Sequence, residues 1–199
     1  MKRIAIFASG SGSNFEAIVE ATLKGNLGCE VVLLFTDKKD AYVLERAKKF
    51  NIPAVARSIK DFLNKEAFER SILSVLKQEK IDFIVLAGYM RLIGPTILHK
   101  YTGKIVNIHP SLLPSFPGKD AIQQAMEKGV KITGVTIHYV DQGMDTGPII
   151  AQKAVEITEE DTYETLKEKI QAIEHYLYPE TLKILFREDE KSGEEARIN

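Results

Sequence analysis

The chain has 199 residues, with 27 lysines and arginines against 28 aspartates and glutamates, so its formal net charge is −1. This balance gives no basic surface for nucleic acid. No apolar run approaches the roughly 20 residues that span a bilayer. The first residues show no signal-peptide pattern. The single Cys29 rules out an internal disulfide and a cysteine-rich zinc site. We therefore expect a globular, soluble, cytoplasmic protein that binds small molecules, without nucleic-acid or membrane partners, as a monomer or homodimer.

Short apolar stretches alternate with amphipathic ones over the first two thirds of the chain. In chain order the pattern predicts strand 3–9, helix 14–25, strand 30–37, helix 40–50, strand 53–57, helix 61–80, strand 82–88, helix 94–101, strand 104–110 and helix 120–128. Gly25 is expected to end the first helix, Asp40 to cap the second and Pro95 to lie in the first turn of the fourth. Continuous apolar strands separated by helices indicate a parallel sheet that helices cover on both faces.

The pattern changes after residue 130. Residues 132–140 and 147–157 alternate in polarity and follow each other with only a loop between them, which predicts an antiparallel edge. A last helix is expected over residues 162–187, interrupted near Pro179, before a frayed polar tail at 188–199. Together these elements predict one Rossmann-like α/β domain over residues 1–199, with a mostly parallel twisted sheet.

Ligands of open α/β sheets bind beyond the carboxyl ends of the strands. Three polar loops are expected there, "SGSGSN" after the first strand, "GYMRLIG" after the fourth and "NIHPSLLP" at the end of the fifth. In the first loop Gly10 and Gly12 permit a tight turn, and the serines and opening helix amides could hold an anion. A dinucleotide fingerprint would need glycine at Phe15, although Asp37 stands where a ribose-binding acid is expected. We therefore favour one phosphate group over a dinucleotide or an empty turn.

Asn107 and His109 have the same parity on one strand, so their side chains should leave the sheet on the same side. An amide and an imidazole can both donate to one oxygen, which is the arrangement that stabilises an oxyanion. His109 needs a carboxylate partner to carry a proton, and Asp145 in the glycine-rich loop before the seventh strand is the best candidate. The alternative is that Asp145 only closes a turn.

The remaining histidines are interpreted as structural. His99 is expected on the surface or in packing, His138 as a satisfied strand residue, and His175 beside Glu174 in the last helix. A metal site made of His138, Asp141 and Asp145 would lack compact ligand spacing, so we expect none.

The motifs "SGSGSN", "LAGYMRLI", "NIHPSLLPSFPG", "VTIHYVDQGMDTGPII" and "EHYLYP" extend over nearly the whole chain. On these motifs the chain resembles the phosphoribosylglycinamide formyltransferases, the folate-dependent enzymes of purine synthesis. The resemblance implies the formyltransferase fold. It also implies transfer of a formyl group from 10-formyltetrahydrofolate, as co-substrate, to the amino group of N1-(5-phospho-D-ribosyl)glycinamide, without a metal.

The resemblance further implies a role for each matching residue. The catalytic trio would be Asn107, His109 and Asp145. The ribonucleotide site would contain Ser11, Gly12, Ser13 and Asn14 around the phosphate, with Glu174 at the ribose. The folate site would contain Lys65, Met90, Arg91, Leu92, Ile93, Asn107, Asp141, Gln142, Gly143, Met144 and Asp145. Lys65 stands where some relatives have arginine, so the charge is kept but a bidentate fork is lost.

Two alternatives stay open at this stage. The first is another formyltetrahydrofolate-using enzyme on the same scaffold, either a deformylase or an enzyme like methionyl-tRNA formyltransferase. Those enzymes carry an additional domain at one end or the other, which we do not expect here. The second is a non-catalytic nucleotide-binding module, which would explain the glycine loop but not Asn107, His109 and Asp145 together.

Overall fold

The computed structural model describes residues 1–25 and 27–198, and of residues 188–198 it describes the backbone alone. The described residues form one seven-stranded sheet in the order β3-β2-β1-β4-β5-β6-β7. The strands are β1 (Lys2–Phe7), β2 (Cys29–Thr36), β3 (Ala54–Ala56), β4 (Phe83–Leu86), β5 (Ile105–His109), β6 (Ile132–Tyr139) and β7 (Ile149–Glu156). Strands β1 to β5 pair in parallel, and β6 and β7 are antiparallel to their neighbours. This confirms the predicted sheet and its antiparallel edge.

Helices cover both faces of this sheet. They are α1 (Ser13–Leu23), α2 (Val43–Lys49), α3 (Lys65–Gln78), α4 (Pro95–Leu98), α5 (Ala121–Glu127) and α6 (Tyr163–Ile198). Alternate residues of β1 divide between two cores, because successive strand side chains point to opposite faces. Ile4 and Ile6 pack into the core that contains α1, α2, α5 and α6, whereas Ala5 and Phe7 face α3 and α4.

Two predicted helix starts are wrong. Helix α2 begins at Val43, three residues after Asp40, and its N-terminus has no side-chain cap. Helix α3 begins at Lys65, because the extended Asn64 accepts a hydrogen bond from the amide of Ala67 at 2.8 Å. Residues Ile59–Asp61 form a separate 3₁₀ turn before it. At α3, local capping geometry thus fixed a boundary that apolar spacing alone does not give.

The predicted interruption at Pro179 is also wrong, since α6 runs through it. Proline inside a helix removes a backbone hydrogen bond and costs about 3 kcal/mol. Tyr178 and Leu182 are fully buried on either side of Pro179. In addition, the Tyr178 hydroxyl donates to the carbonyl of Leu86 at 2.8 Å, which ties the helix to β4. Tertiary packing on both sides of the proline therefore outweighs its local cost.

The expected frayed tail at 188–199 stays a prediction. The backbone of α6 continues to Ile198, while the side chains of residues 188–198 and all of Asn199 lie outside the described residues. Within the described part of the chain, no helix has both the length and the apolar character needed to cross a membrane.

Candidate active site

The sheet order brings the three predicted loops together. β1 lies beside β4 and β4 beside β5, and the cross-strand pairs Phe7↔Leu86 and Leu86↔Asn107 put their carboxyl ends level. The glycine loop, the loop after β4 and the end of β5 therefore share one edge of the sheet, as in other open α/β folds.

The glycine loop enters α1 through a backbone conformation that requires glycine. Gly12 has φ +76°, and a Cβ atom there would lie 2.3 Å from Cγ2 of Val43. The first backbone N–H groups of α1 have no intrahelical partner, and the cap position Gly12 supplies no side-chain hydrogen bond to them. The loop can therefore present Ser11, Ser13 and these amides to an anion.

Asn14 and Glu174 meet across 160 positions of sequence. Nδ2 of Asn14 donates to Oε2 of Glu174 at 3.0 Å, and Glu174 is 8% exposed. Burial raises the pKa of Glu174, which the hydrogen bond from Asn14 only partly offsets. Oδ1 of Asn14 is buried and accepts no hydrogen bond from the described residues. The pair is thus placed beside the glycine loop with acceptor capacity for hydroxyl groups of a ligand.

The predicted catalytic side chains form one group around the Asp145 carboxylate. Oδ2 of Asp145 is 3.4 Å from Nδ1 of His109, and Oδ1 is 3.5 Å from Nδ2 of Asn107. Nε2 of His109 lies 2.8 Å from the carbonyl of Phe116. Both ring nitrogens of His109 therefore face oxygen acceptors.

Asp145 is held ionised by its surroundings. Its burial opposes the charge, but hydrogen bonds with His138 and the amide of Gly118, together with the charges of His109 and His138, lower its pKa below the usual range. The Gly118 amide donates at 2.7 Å, and Asp145 itself has φ +56°. This fixed carboxylate can orient the ring of His109.

His138 takes part in this group, which the sequence interpretation missed. Its Nδ1 is satisfied by the carbonyl of Tyr139 at 2.8 Å, as expected of a structural histidine. Its Nε2, however, lies 3.2 Å from Nδ2 of Asn107 and 3.6 Å from Oδ1 of Asp145. The feature that could have revealed this role is the antiparallel pairing of Asn107 with His138, because directly opposed residues share a face of the sheet.

Asp145 reaches this group by an unexpected route. β6 runs antiparallel to β5, and the amide of Val140 donates to the carbonyl of Ile105 at the start of β5. The loop after β6 therefore leaves the sheet at the opposite end from the carboxyl end of β5. It folds back so that Asp145 contacts His109, the last residue of β5. Asp145 therefore approaches His109 from a loop that begins at the other end of β5.

The proline-rich loop after β5 is anchored by residues without a predicted role. Thr136 Oγ1 donates to the carbonyl of Ser111 at 2.6 Å and accepts from the amide of Leu113 at 3.0 Å. Gln152 donates to the carbonyl of Leu113 at 2.9 Å. These contacts from β6 and β7 fix the segment that carries the Phe116 carbonyl to His109.

Apart from Asn107 and Asp145 in the group around His109, the residues predicted to bind folate lie in two places. A cavity of about 250 Å³ is bounded by α3 and the loop after β4, and Lys65, Met90, Arg91, Leu92 and Ile93 all line it. The other group is the turn at residues 141–144, where Asp141 accepts from the amide of Gly143 at 2.9 Å and Gln142 and Met144 are exposed. These turn residues are absent from the lining of the cavity.

Asp37 and Arg91 are engaged with each other. Nε of Arg91 donates to Oδ2 of Asp37 at 2.9 Å, and the Ser9 hydroxyl donates to Oδ1 at 2.5 Å. Ser9 also accepts the amide of Met90 at 2.9 Å. Both oxygens of Asp37 thus bind neighbouring side chains, and its carboxylate, 5% exposed, stabilises the loop after β4 through Arg91.

The two remaining histidines are His99 and His175. His99 is exposed at the end of α4, and burial and the charge of Arg46 lower the pKa of His175. No group of three or more metal-ligating side chains is found among the described residues.

A family model described as formyl transferase matches residues 2–182 of the chain. The phosphoribosylglycinamide formyltransferase of Bacillus subtilis (strain 168) is 56% identical over 185 residues, which cover 93% of this chain and 95% of that protein. The crystal structure of phosphoribosylglycinamide formyltransferase from Bacillus halodurans superposes with a TM-score of 0.91 at 63% identity, covering 92% of this chain and 95% of that one. That of glycinamide ribonucleotide transformylase 1 from Geobacillus kaustophilus gives a TM-score of 0.91 at 59% identity, covering 93% and 98%.

Proposed function

The chain belongs to the formyl transferase family, and we propose that it transfers a formyl group from 10-formyltetrahydrofolate to the amino group of N1-(5-phospho-D-ribosyl)glycinamide, a step of de novo purine (IMP) synthesis. The observation that carries this proposal is the contact of Asp145 with Asn107 and His109. It occurs in a chain that is 56% identical to the phosphoribosylglycinamide formyltransferase of Bacillus subtilis. The products would be the formylated ribonucleotide and tetrahydrofolate.

Binding of the ribonucleotide is assigned to the edge formed by the glycine loop. The unpaired amides at the start of α1 and the hydroxyls of Ser11 and Ser13 would hold the phosphate. Glu174, positioned by Asn14, would accept hydrogen bonds from the ribose hydroxyls. The folate would occupy the cavity lined by residues 90–93 and extend towards the turn at residues 141–145.

The chemical step needs no strong base. An α-amino group titrates at roughly pH 8, so a useful fraction is neutral at pH 7 and can attack the formyl carbon. The carbonyl oxygen then becomes an oxyanion, which the amide of Asn107 and a ring N–H of His109 would stabilise. Because His109 already faces Asp145 and Phe116, one of these contacts must lengthen as the oxyanion forms.

Asp145 would act on His109 as a positioning and charge-balancing group. The pKa of this carboxylate is lowered, so Asp145 is ionised at neutral pH and would hold the imidazole ring in place. When the tetrahedral intermediate collapses, the C–N bond to the folate breaks and that nitrogen takes up a proton. The proton lost from the attacking amine would reach it directly or through the His109–Asp145 pair.

The test is to mix the protein with both substrates and measure formation of the formylated ribonucleotide. Formylation only of methionyl-tRNA, or release of formate without the ribonucleotide, would instead support the other enzymes of this scaffold. A module without catalysis should bind the ribonucleotide and ignore folates. The cytoplasmic location and the monomeric or homodimeric state stay predictions.

A further inference from the structure

Arg46 connects α2 to the glycine loop. Its Nε donates to the carbonyl of Ser11 at 2.8 Å, and its guanidinium is paired with Glu16 and lies 5.3 Å from the ring centre of Tyr42. The side chain is only 23% exposed. No motif in the sequence assigns a role to this arginine, and α2 contributes no residue to the proposed substrate contacts.

The glycine loop can offer its N–H groups to an anion only if its carbonyls point elsewhere and are satisfied there. Three successive carbonyls meet this condition. That of Gly10 accepts the amide of Val43 at 3.1 Å, and that of Gly12 accepts the amide of Glu16 at 3.0 Å. The carbonyl between them, that of Ser11, is bound by Arg46. Of these three carbonyls, that of Ser11 is bound by a side chain and not by a backbone amide. The orientation of the Ser11 carbonyl therefore depends on Arg46.

The charge of Arg46 serves the same loop. Glu16 lies in the first turn of α1, next to the amides that would receive a phosphate dianion. An uncompensated carboxylate there would repel the phosphate. Arg46 pairs with this carboxylate, and Lys49 approaches it at 2.7 Å from an exposed position. Two cations against one carboxylate leave the start of α1 without a net negative charge.

We propose that Arg46 is a positioning residue for the phosphate of the ribonucleotide. It holds the Ser11 carbonyl away from the anion and neutralises Glu16, while the backbone of the loop makes the contact with the phosphate. The proposal rests on the proposed function, since it assumes that the ribonucleotide is the substrate. It predicts that the loss of Arg46 weakens one substrate selectively.

The test compares the Arg46→Met and Lys49→Met variants with the wild-type enzyme. Both remove one cation that faces Glu16, but only Arg46 also binds Ser11. Arg46→Met should raise the KM for the ribonucleotide roughly ten-fold, the effect of losing one charge-assisted hydrogen bond. The KM for 10-formyltetrahydrofolate and kcat should change less than about two-fold, because the folate cavity and Asn107 are untouched. Lys49→Met should stay within about two-fold in all three, because an exposed ion pair contributes little.

Equal effects of the two variants on the ribonucleotide KM would overturn the proposal, because net charge alone would then explain them. A comparable fall in kcat, or a comparable rise in the KM for 10-formyltetrahydrofolate, would overturn it too, because the substitution would then disturb the whole active site. If circular dichroism shows that Arg46→Met is unfolded, Arg46→Lys takes its place, because lysine keeps the charge beside Glu16 but lacks the Nε donor to Ser11. It should still raise the KM for the ribonucleotide, and an unchanged KM would overturn the proposal. A wild-type enzyme that forms no formylated ribonucleotide would remove the proposed function together with this inference. An active wild type with an unchanged Arg46 variant removes the inference alone.

Discussion

The carboxylate of Asp145 lies 3.4 Å from Nδ1 of His109, although the two residues are 36 positions apart and their segments leave the sheet at opposite ends. The same carboxylate accepts the amide of Gly118 at 2.7 Å. The Asp145 carboxylate therefore holds both the imidazole of His109 and the end of the proline-rich loop. This relationship makes the carboxylate the centre of the proposed chemistry.

Removing either oxyanion donor should slow the chemical step. We expect His109→Ala and Asn107→Ala each to lower kcat by roughly 10²- to 10³-fold, the usual effect of losing one such donor. The KM values for both substrates should change only a few-fold, because the glycine loop and the cavity lined by residues 90–93 would supply most of the binding. Steady-state kinetics decides this, with the exposed His99→Ala as the matched control. Near wild-type kcat in His109→Ala would refute the mechanism.

Asp145→Asn should change the response to acid as well as turnover. The native pKa of Asp145 is lowered, so its ionised form stabilises the fold above about pH 4, the ordinary carboxyl range. That stabilisation is lost as pH falls through the lowered native pKa. The difference in free energy of unfolding between wild type and variant should therefore shrink between pH 6 and about pH 3. Denaturant titrations at several pH values measure it, and a constant difference would contradict the expectation.

Glu174→Gln should weaken binding of the ribonucleotide and stabilise the protein at high pH. Burial raises the pKa of Glu174, so the stability it contributes is fully present below about pH 4.3, its unfolded pKa, and is lost as pH rises through the native pKa. The variant should match wild type near pH 4 and be the more stable protein at pH 8. Its KM for the ribonucleotide should rise, because a carboxylate facing the ribose becomes an amide.

Thermal unfolding across this pH range and ribonucleotide kinetics test both parts. Glu168→Gln, at an exposed position of the same helix, should leave the ribonucleotide KM unchanged. A Glu174→Gln variant less stable than wild type at pH 8 would contradict the expectation.

Gly12→Ala should damage the phosphate loop. The new Cβ atom would lie 2.3 Å from Cγ2 of Val43. In addition, an alanine with φ +76° costs about 1 kcal/mol in backbone strain. We expect a lower melting temperature and a raised ribonucleotide KM. Gly10→Ala is the matched control, because a Cβ there has no neighbour within 4 Å. Equal effects of the two substitutions would show that the geometry of Gly12 is not decisive.

Leu92→Asp should weaken folate binding selectively. Leu92 lines the 250 Å³ cavity and is 49% exposed, so a carboxylate can be placed there without unfolding the core. We expect the KM for 10-formyltetrahydrofolate to rise by roughly ten-fold or more, since an apolar contact is replaced by a charge. Leu63→Asp, at a position 94% exposed and outside the cavity, is the control. Unchanged folate KM in Leu92→Asp would place the folate elsewhere.

Much of the fold could be predicted from local pattern. Apolar runs at strand length gave every strand of the sheet, and the switch to alternating polarity gave the antiparallel edge at β6 and β7. Helix ends were less predictable, since α3 begins after its cap Asn64 and not at residue 61. The continuity of α6 through Pro179 depended on Tyr178 and Leu182, whose burial no local rule expresses.

By itself the sequence determined the sheet, the glycine loop and the parity that puts Asn107 and His109 on one side of β5, because strand and turn geometry are local properties of the chain. Only the tertiary structure decided that the loop after β6 folds back to bring Asp145 to His109, and that His138 joins them from the neighbouring strand. It alone paired Asn14 with Glu174 and Arg46 with Ser11. These contacts join residues far apart in sequence, and their geometry depends on how helices and loops pack on the sheet, which periodicity and spacing do not encode.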